Sequence, residues 1–316
     1  IKVTKPMNNL AFIFPGQGSQ KVGMLLEAAA EFPIIEETFQ QASSVLGYDL
    51  WALVQSGPQE DLNFTERTQP MLLTASVALW RAWAQQSQVV PARMAGHSLG
   101  EWSALVCAGV VDFKDAVRLV QLRGKYMQEA VPAGVGSMAA IIGLDDAAII
   151  TCCNAAAENE VVTAVNFNSP GQVVIAGNVA AVERACILCK DWGAKRAQLL
   201  MVSAPFHSSL LKPAADKLAD DIKAINFNSP AIPVIHNVNA STETDPTRIK
   251  ELMIEQIYHP VLWVDCIGAL VTAGVDTCVE CGPGKVLSGL TKRIDRELTS
   301  LAIESPENLK QAVSLL

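Results

Sequence analysis

The stretch ARMAGHSLGEWSALVCAGVV, residues 92–111, decides the fold. Residues 92–96 read as a strand and the segment after Leu99 as an apolar helix, so Gly96-His-Ser-Leu-Gly100 spells G-x-S-x-G on a strand-to-helix turn. At such a turn the serine takes a strained backbone, and flanking glycines remove side chains that would collide with neighbouring backbone. The Ser98 hydroxyl is then expected at the carboxyl end of a sheet and at a helix N-terminus, where anionic intermediates are favoured. The plainer alternative is a glycine-rich turn whose serine only caps the helix.

Working outward, apolar strands alternate with helices. AFIFP, ARMAG, AIPVIHNV and DTCVECG read as strands; the segments after Gln20, Gln69, Leu99, Asp112, Pro213 and Pro283 read as helices. Such alternation implies an α/β protein with a mainly parallel sheet covered on both faces. Between residues 134 and 203 the texture changes. GSMAAIIG, VVTAVNF, QVVIAG and KRAQLLMVS read as strands, DDAAIITCCNAAAE and VAAVERACILCKDWG as helices, with a hairpin-type turn at 168–171. The order β-α-β-β-α-β is the ferredoxin-like unit. The expected organisation is a large subdomain of residues 1–133 and 204–316 with a small ferredoxin-like subdomain, 134–203, inserted into it.

The chain of 316 residues is 50% hydrophobic and 18% charged, enough for a large core. No run approaches the ~18 unbroken apolar residues of a membrane span. The N-terminal segment has no apolar core of secretory length, so no signal peptide is read, and Met7 is expected to be the natural start. Eight cysteines without an export signal point to reduced thiols in a cytoplasm. Two C-x-x-C spacings, Cys186 with Cys189 and Cys278 with Cys281, are read as core cysteines; neither a metal nor a cofactor is expected. A net charge of −8 argues against nucleic acid as a partner. Lys285, Lys292, Arg293 and Arg296 nevertheless gather in one stretch, either as a solvated helix face or as a dock for an acidic partner.

Three further features bear on chemistry. FIFPGQGSQ, residues 12–20, is a strand entering a glycine-rich turn, as in a dinucleotide-binding loop, but Lys21 stands where G-x-G-x-x-G needs its third glycine. The turn's backbone N–H groups suit any developing negative charge. A serine nucleophile needs a base, and four histidines are available. His97 adjoins Ser98 and is read as pocket-lining; His236 reads as a core histidine; His259 has no distinguishing context; His207, between a strand and a helix, is the chosen base. No acid is evidently placed to orient it. Finally, Ala116, Leu119, Val120, Arg123 and Met127 share one helical stripe, so Arg123 faces the core and needs an anion. That anion is either a structural carboxylate or a substrate carboxylate gripped by two parallel hydrogen bonds.

FPGQGSQ, AGHSLGE, the QLRGKYMQ arginine, NFNSPGQVVIAG, APFHS and VECGPGKVL together resemble the malonyl-CoA:acyl carrier protein transacylases, the loading enzymes of bacterial type II fatty acid synthesis, from about residue 11 to 293. The resemblance implies an α/β-hydrolase-like large subdomain with a ferredoxin-like small one. It implies Ser98 as nucleophile, His207 as base, Gln256 orienting His207 through its main-chain carbonyl, and Gln17 and Leu99 supplying oxyanion-hole N–H groups. Arg123 would clamp the malonyl carboxylate, and Phe206 resembles the malonyl-preferring members. Malonyl-CoA would be the donor and acyl carrier protein the acceptor, docking on the basic cluster. A serine hydrolase or thioesterase, a nucleotide-binding module, and an acyltransferase of polyketide or polyunsaturated lipid synthesis are the competing readings.

Overall fold

The computed structural model describes residues 5–202 and 204–316. The reading of residues 1–6 as preceding the natural start falls mainly outside that range, as does Ser203 at the end of the last strand expected in the insert.

Strands β1 (Lys5–Phe14), β2 (Val89–Gly96), β3 (Gly136–Ile142), β4 (Val162–Ser169), β5 (Gln172–Asn178), β6 (Arg196–Leu199), β7 (Val234–Ile235), β8 (Thr277–Glu280) and β9 (Thr299–Ala302) form two sheets. The larger has the order β7-β2-β1-β8-β9 with every neighbouring pair parallel. The smaller has the order β4-β5-β3-β6 with every pair antiparallel. Helices Asp146–Ala157 and Val179–Asp191 join β3 to β4 and β5 to β6, which gives the ferredoxin-like order.

Continuous apolar runs form these strands because both faces are covered. In β1, Leu10, Phe12 and Phe14 point into a core with Phe39, Trp83 and Trp102, while Ala11 and Ile13 point the other way against Ala95, Trp263 and Leu270. The small sheet divides likewise. Ala139, Ile141, Val173 and Ile175 pack on Ile149, Cys152, Val182 and Cys189 of its own helices, whereas Met138, Val174 and Ala176 join the main core. Backbone bonds also tie the two sheets' surroundings together: Val261 N–H donates to Val165 O at 2.8 Å and Phe167 N–H to Val261 O at 3.1 Å. The end of β4 is thereby held beside residues 256–263.

Several expectations are corrected. The helix placed after Gln69 starts at Thr65 and runs to Gln86 with Pro70 inside it. Pro70 removes one backbone donor close to the helix start, and the fully buried flank around it (Thr68, Gln69, Met71, Leu72) outweighs that loss. The strand read in AIPVIHNV shrinks to Val234–Ile235, because His236 and Asn237 turn into a polar network described below. The tail after Arg293, which lies beyond the resemblance, forms β9 and the helix Pro306–Leu315. All eight cysteines are unpaired. Burial pushes the Cys186 thiol up to about 11 and the Cys278 thiol to about 12, which fits inert core positions. Among the described residues no helix is long and apolar enough to cross a membrane.

Candidate active site

The parallel register aligns the carboxyl ends of four strands: Phe14 pairs with Gly96, Ile13 with Glu280 and Ala95 with Ile235. The loops that follow them therefore meet at one edge. Ser98 links β2 to the helix Leu99–Cys107 with φ 52° and ψ −109°, a conformation costly for a residue with a Cβ. Contacts dictate both flanking glycines. A Cβ on Gly96 would stand 2.0 Å from the Gly100 carbonyl, and one on Gly100 would stand 2.0 Å from Phe14 O. His97 N–H donates to Phe14 O at 3.0 Å, and a Cβ on Gly16 would lie 2.6 Å from His97 O. The FPGQG loop thus lies directly on the serine turn. Gly282 of the CGPG turn packs behind it, where a Cβ would meet Pro15 at 2.4 Å.

The Ser98 side chain does not cap the helix; its Oγ is 2.7 Å from His207 Nε2. His207 is buried, and its Nδ1 lies 2.8 Å from Gln256 O. A carbonyl oxygen only accepts, so Nδ1 carries the proton and Nε2 presents its lone pair to the serine hydroxyl. Among the described residues no carboxylate orients the ring. Burial first, then the positive charge of Arg123, lowers the His207 pKa to about 3, with the Gln256 carbonyl working weakly the other way. An imidazole so depressed stays neutral throughout the ordinary range. The kcat/KM for serine acylation is accordingly expected to run flat through pH 6.5 and down to about pH 5, without an acid limb at the usual imidazole value. A limb near 6.5 in the pH profile would contradict that assignment. The unfolded chain binds this proton below about 6.5 and the folded chain does not, so His207 also costs stability progressively as pH falls from about 6.5 toward 3.

Arg123, on the helix Phe113–Glu129, is fully buried beside Ala116, Leu119, Val120 and Met127, while Arg118 and Lys125 are exposed. Its Nη1 donates to Gln69 Oε1 at 2.7 Å, and its Nη2 to Gln256 Oε1 at 2.9 Å and to Ser98 Oγ at 3.3 Å. Nε is buried without a partner. Among the described residues Arg123 enters no ion pair, and burial lowers its pKa to about 10. A guanidinium held by neutral amides keeps its charge uncompensated at close range.

Beneath the serine lies a second layer. Asn237 Oδ1 accepts from Ser98 N–H at 2.8 Å and its Nδ2 donates to Gly96 O at 2.7 Å, clamping both sides of the turn. Gln256 Nε2 donates to Ser98 O at 3.0 Å and to Glu101 Oε2 at 2.7 Å. Glu101 Oε2 also accepts from Asn237 N–H at 3.2 Å, and Oε1 lies 2.7 Å from His236 Nδ1.

The structure brings Ser98, His207, Arg123 and Gln256 into one hydrogen-bonded group. His97 stands at its edge, with Nε2 2.7 Å from Asn168 Oδ1 on β4 and its ring edge-on to Trp263; burial lowers its pKa. Phe206 is in the main core. Leu99 is the first residue of its helix, where backbone N–H groups lack intrahelical acceptors. Gln17 is exposed on the loop above the turn, its Oε1 accepting from Thr65 Oγ1 at 3.4 Å. Lys285, Lys292, Arg293 and Arg296 are all exposed along and beyond the helix Val286–Ile294, and Arg293 donates to Gln172 of the small sheet at 2.7 Å. His259 bonds Glu255 O and stays outside the group. Sequence reasoning missed Gln69, Glu101, Asn168 and Asn237. Glu101 alone had a local signal, a carboxyl inside the otherwise apolar LGEWSALV.

Fold and site together fit an α/β acyltransferase, with Ser98, His207 and Arg123 at the carboxyl edge of a parallel sheet. The acyl transferase domain family model matches residues 11–306. The malonyl CoA-acyl carrier protein transacylase of Escherichia coli K12 is 60% identical over 309 residues, 98% of this chain and 100% of that protein. The crystal structure of an acyl carrier protein S-malonyltransferase from Vibrio cholerae O1 biovar eltor superposes with a TM-score of 0.95 at 58% identity, covering 96% of this chain and 99% of that one. A malonyl-transacylase solved in complex with its type II polyketide acyl-carrier protein superposes with a TM-score of 0.96 at 54% identity, covering 98% and 100%. The chain belongs to the malonyl CoA-acyl carrier protein transacylase family.

Proposed function

We propose that this protein transfers a malonyl group from malonyl-CoA to the phosphopantetheine thiol of acyl carrier protein, through an ester on Ser98, and so supplies fatty acid elongation. One observation carries the reading. A single hydroxyl oxygen, Ser98 Oγ, lies 2.7 Å from an imidazole lone pair and 3.3 Å from a buried guanidinium that has no carboxylate of its own. The first contact suits proton removal; the second suits an acyl group ending in a carboxylate.

In the first half, Ser98 Oγ attacks the thioester carbon while His207 Nε2 takes its proton. The oxyanion is received by the N–H groups of Gln17 and Leu99. Collapse breaks the C–S bond, and the CoA sulfur leaves with the proton returned by His207. In the second half, the pantetheine thiol gives its proton to His207 and its sulfur attacks the ester; Ser98 departs and regains the proton. A malonyl carboxylate on Arg123 offsets the charge that depresses His207, so the cognate substrate raises the basicity of its own catalyst. No cofactor or metal enters these steps.

An acidic carrier protein is read as docking on Lys285, Lys292, Arg293 and Arg296. Their exposure supports this, as does the lack of any ion pair to them among the described residues. The division into residues 1–133 with 204–316 and residues 134–203 is likewise proposed, on the separate small sheet. A cytoplasmic location is proposed on the eight unpaired cysteines. The test is acceptor dependence: malonyl-CoA consumption is expected to require a pantetheine thiol and to yield malonyl-thioester. Rapid consumption with water alone would instead make the protein a hydrolase.

A further inference from the structure

The fully buried Arg123 touches no carboxyl group, yet a buried carboxyl lies one residue away. Glu101 is 1% exposed, and a single amide joins the two: Gln256 Oε1 accepts from Arg123 Nη2 at 2.9 Å while Gln256 Nε2 donates to Glu101 Oε2 at 2.7 Å. We propose that Glu101 is a positioning residue for carboxylate recognition, which fixes the Gln256 amide with its oxygen toward Arg123 and balances the guanidinium charge from a distance.

The direction of each bond supports this assignment. Glu101 Oε2 accepts from the backbone N–H of Asn237 at 3.2 Å, which marks it as an acceptor independently of Gln256. Turning the amide over would set Gln256 Nε2 against the donor-only guanidinium and Oε1 against Glu101 Oε2, two like-with-like contacts in a buried site. The Ser98–Glu101 spacing is that of a capping box, but Ser98 makes no capping bond and its Oγ meets His207 instead, so the glutamate side chain serves the buried network. Glu101 also contributes the one neighbouring charge that favours the cationic form of Arg123 against burial. A carboxylate placed directly on Arg123 would compete with a substrate carboxylate; one placed behind an amide keeps the guanidinium aligned without pairing with it. Gln69 Oε1, 2.7 Å from Nη1, holds the other arm with a second neutral acceptor.

The inference rests on the reading that Arg123 receives the substrate carboxylate. It is tested by a double-mutant cycle read as the ratio of kcat/KM for malonyl-CoA to that for acetyl-CoA. Glu101→Gln keeps the shape and an acceptor but removes the charge, and is expected to lower the ratio about fivefold. Glu101→Met, which removes the acceptor as well, is expected to lower it further. In an Arg123→Ala background both substitutions are expected to change the ratio less than about twofold, because the group they position is gone. A merely structural glutamate would depress both substrates in parallel. An unchanged ratio in Glu101→Gln, or an equal fall in the Arg123→Ala background, overturns the proposal even if Glu101→Met does not fold. A ratio that Arg123→Ala itself leaves untouched overturns the reading of Arg123, and the role of Glu101 with it.

Discussion

Ser98→Ala, His207→Ala and the double variant are expected to lose malonyl transfer to nearly the same extent, on the order of 10⁴-fold or more. The near-equality matters more than the size. Ser98 Oγ and His207 Nε2 are joined by one 2.7 Å hydrogen bond, and in the proposed mechanism neither group does chemistry without the other. A serine without its base keeps its proton at the moment of attack; a histidine without its serine has no nucleophile to activate. Removing the second partner therefore costs almost nothing more. If His207→Ala lost only about tenfold, or if the two losses multiplied in the double variant, another group would be acting as the base. His236 is the obvious contender by residue type, but it is tied to Glu101 rather than to Ser98.

Arg123→Ala is expected to lower kcat/KM for malonyl-CoA by about 10²–10³-fold and to bring it close to that for acetyl-CoA. Each hydrogen bond from a buried guanidinium to a substrate carboxylate is worth about 1.5–3 kcal/mol, and a planar fork makes two. By the same physics neutral acyl groups are expected to be disfavoured in the native enzyme, since they leave a buried cation with neutral acceptors only. Arg123→Lys is expected to recover little, because a point-charge ammonium lacks the planar fork that Gln69 Oε1 and Gln256 Oε1 hold in place and that a carboxylate meets with two parallel bonds. A second readout accompanies the first. Arg123 is the second cause of the low His207 pKa, so its removal is expected to shift any acid limb of the pH profile upward. Retained malonyl preference in Arg123→Ala would contradict the assignment.

Much of this molecule was legible in the sequence, and the boundary is physical. The β1 run LAFIF and the turn AGHSLGE declared a buried parallel strand and a strained serine through local pattern: a Cβ on Gly96 would stand 2.0 Å from the Gly100 carbonyl within the same turn, although Gly100 itself is required by Phe14 O of the neighbouring strand. Arg123 declared its buried face through helical spacing. The spacing left its partner open, and the partners proved to be Gln69 and Gln256, 54 and 133 residues away. Asn237 is 139 residues from the Ser98 N–H it accepts from, and an asparagine after a strand gives no sign of that. Glu101 stood out locally only as a carboxyl in an apolar run, and tertiary packing supplied its partners His236, Asn237 and Gln256. The motif-bearing loops were legible because a glycine spelled between a strand and a helix marks a tight turn whatever it packs against. The amide layer was not, since amide side chains acquire meaning only from partners that the fold delivers.

In the proposed mechanism Ser98 carries the acyl group, and a carboxylate-bearing acyl group is the one it accepts. Intact mass measured after mixing the protein with malonyl-CoA, without any thiol acceptor, tests it most directly. A gain of one malonyl group per chain is expected, absent in Ser98→Ala and discharged on adding a pantetheine thiol. A protein that stays unmodified, or a label that survives Ser98→Ala, would contradict it.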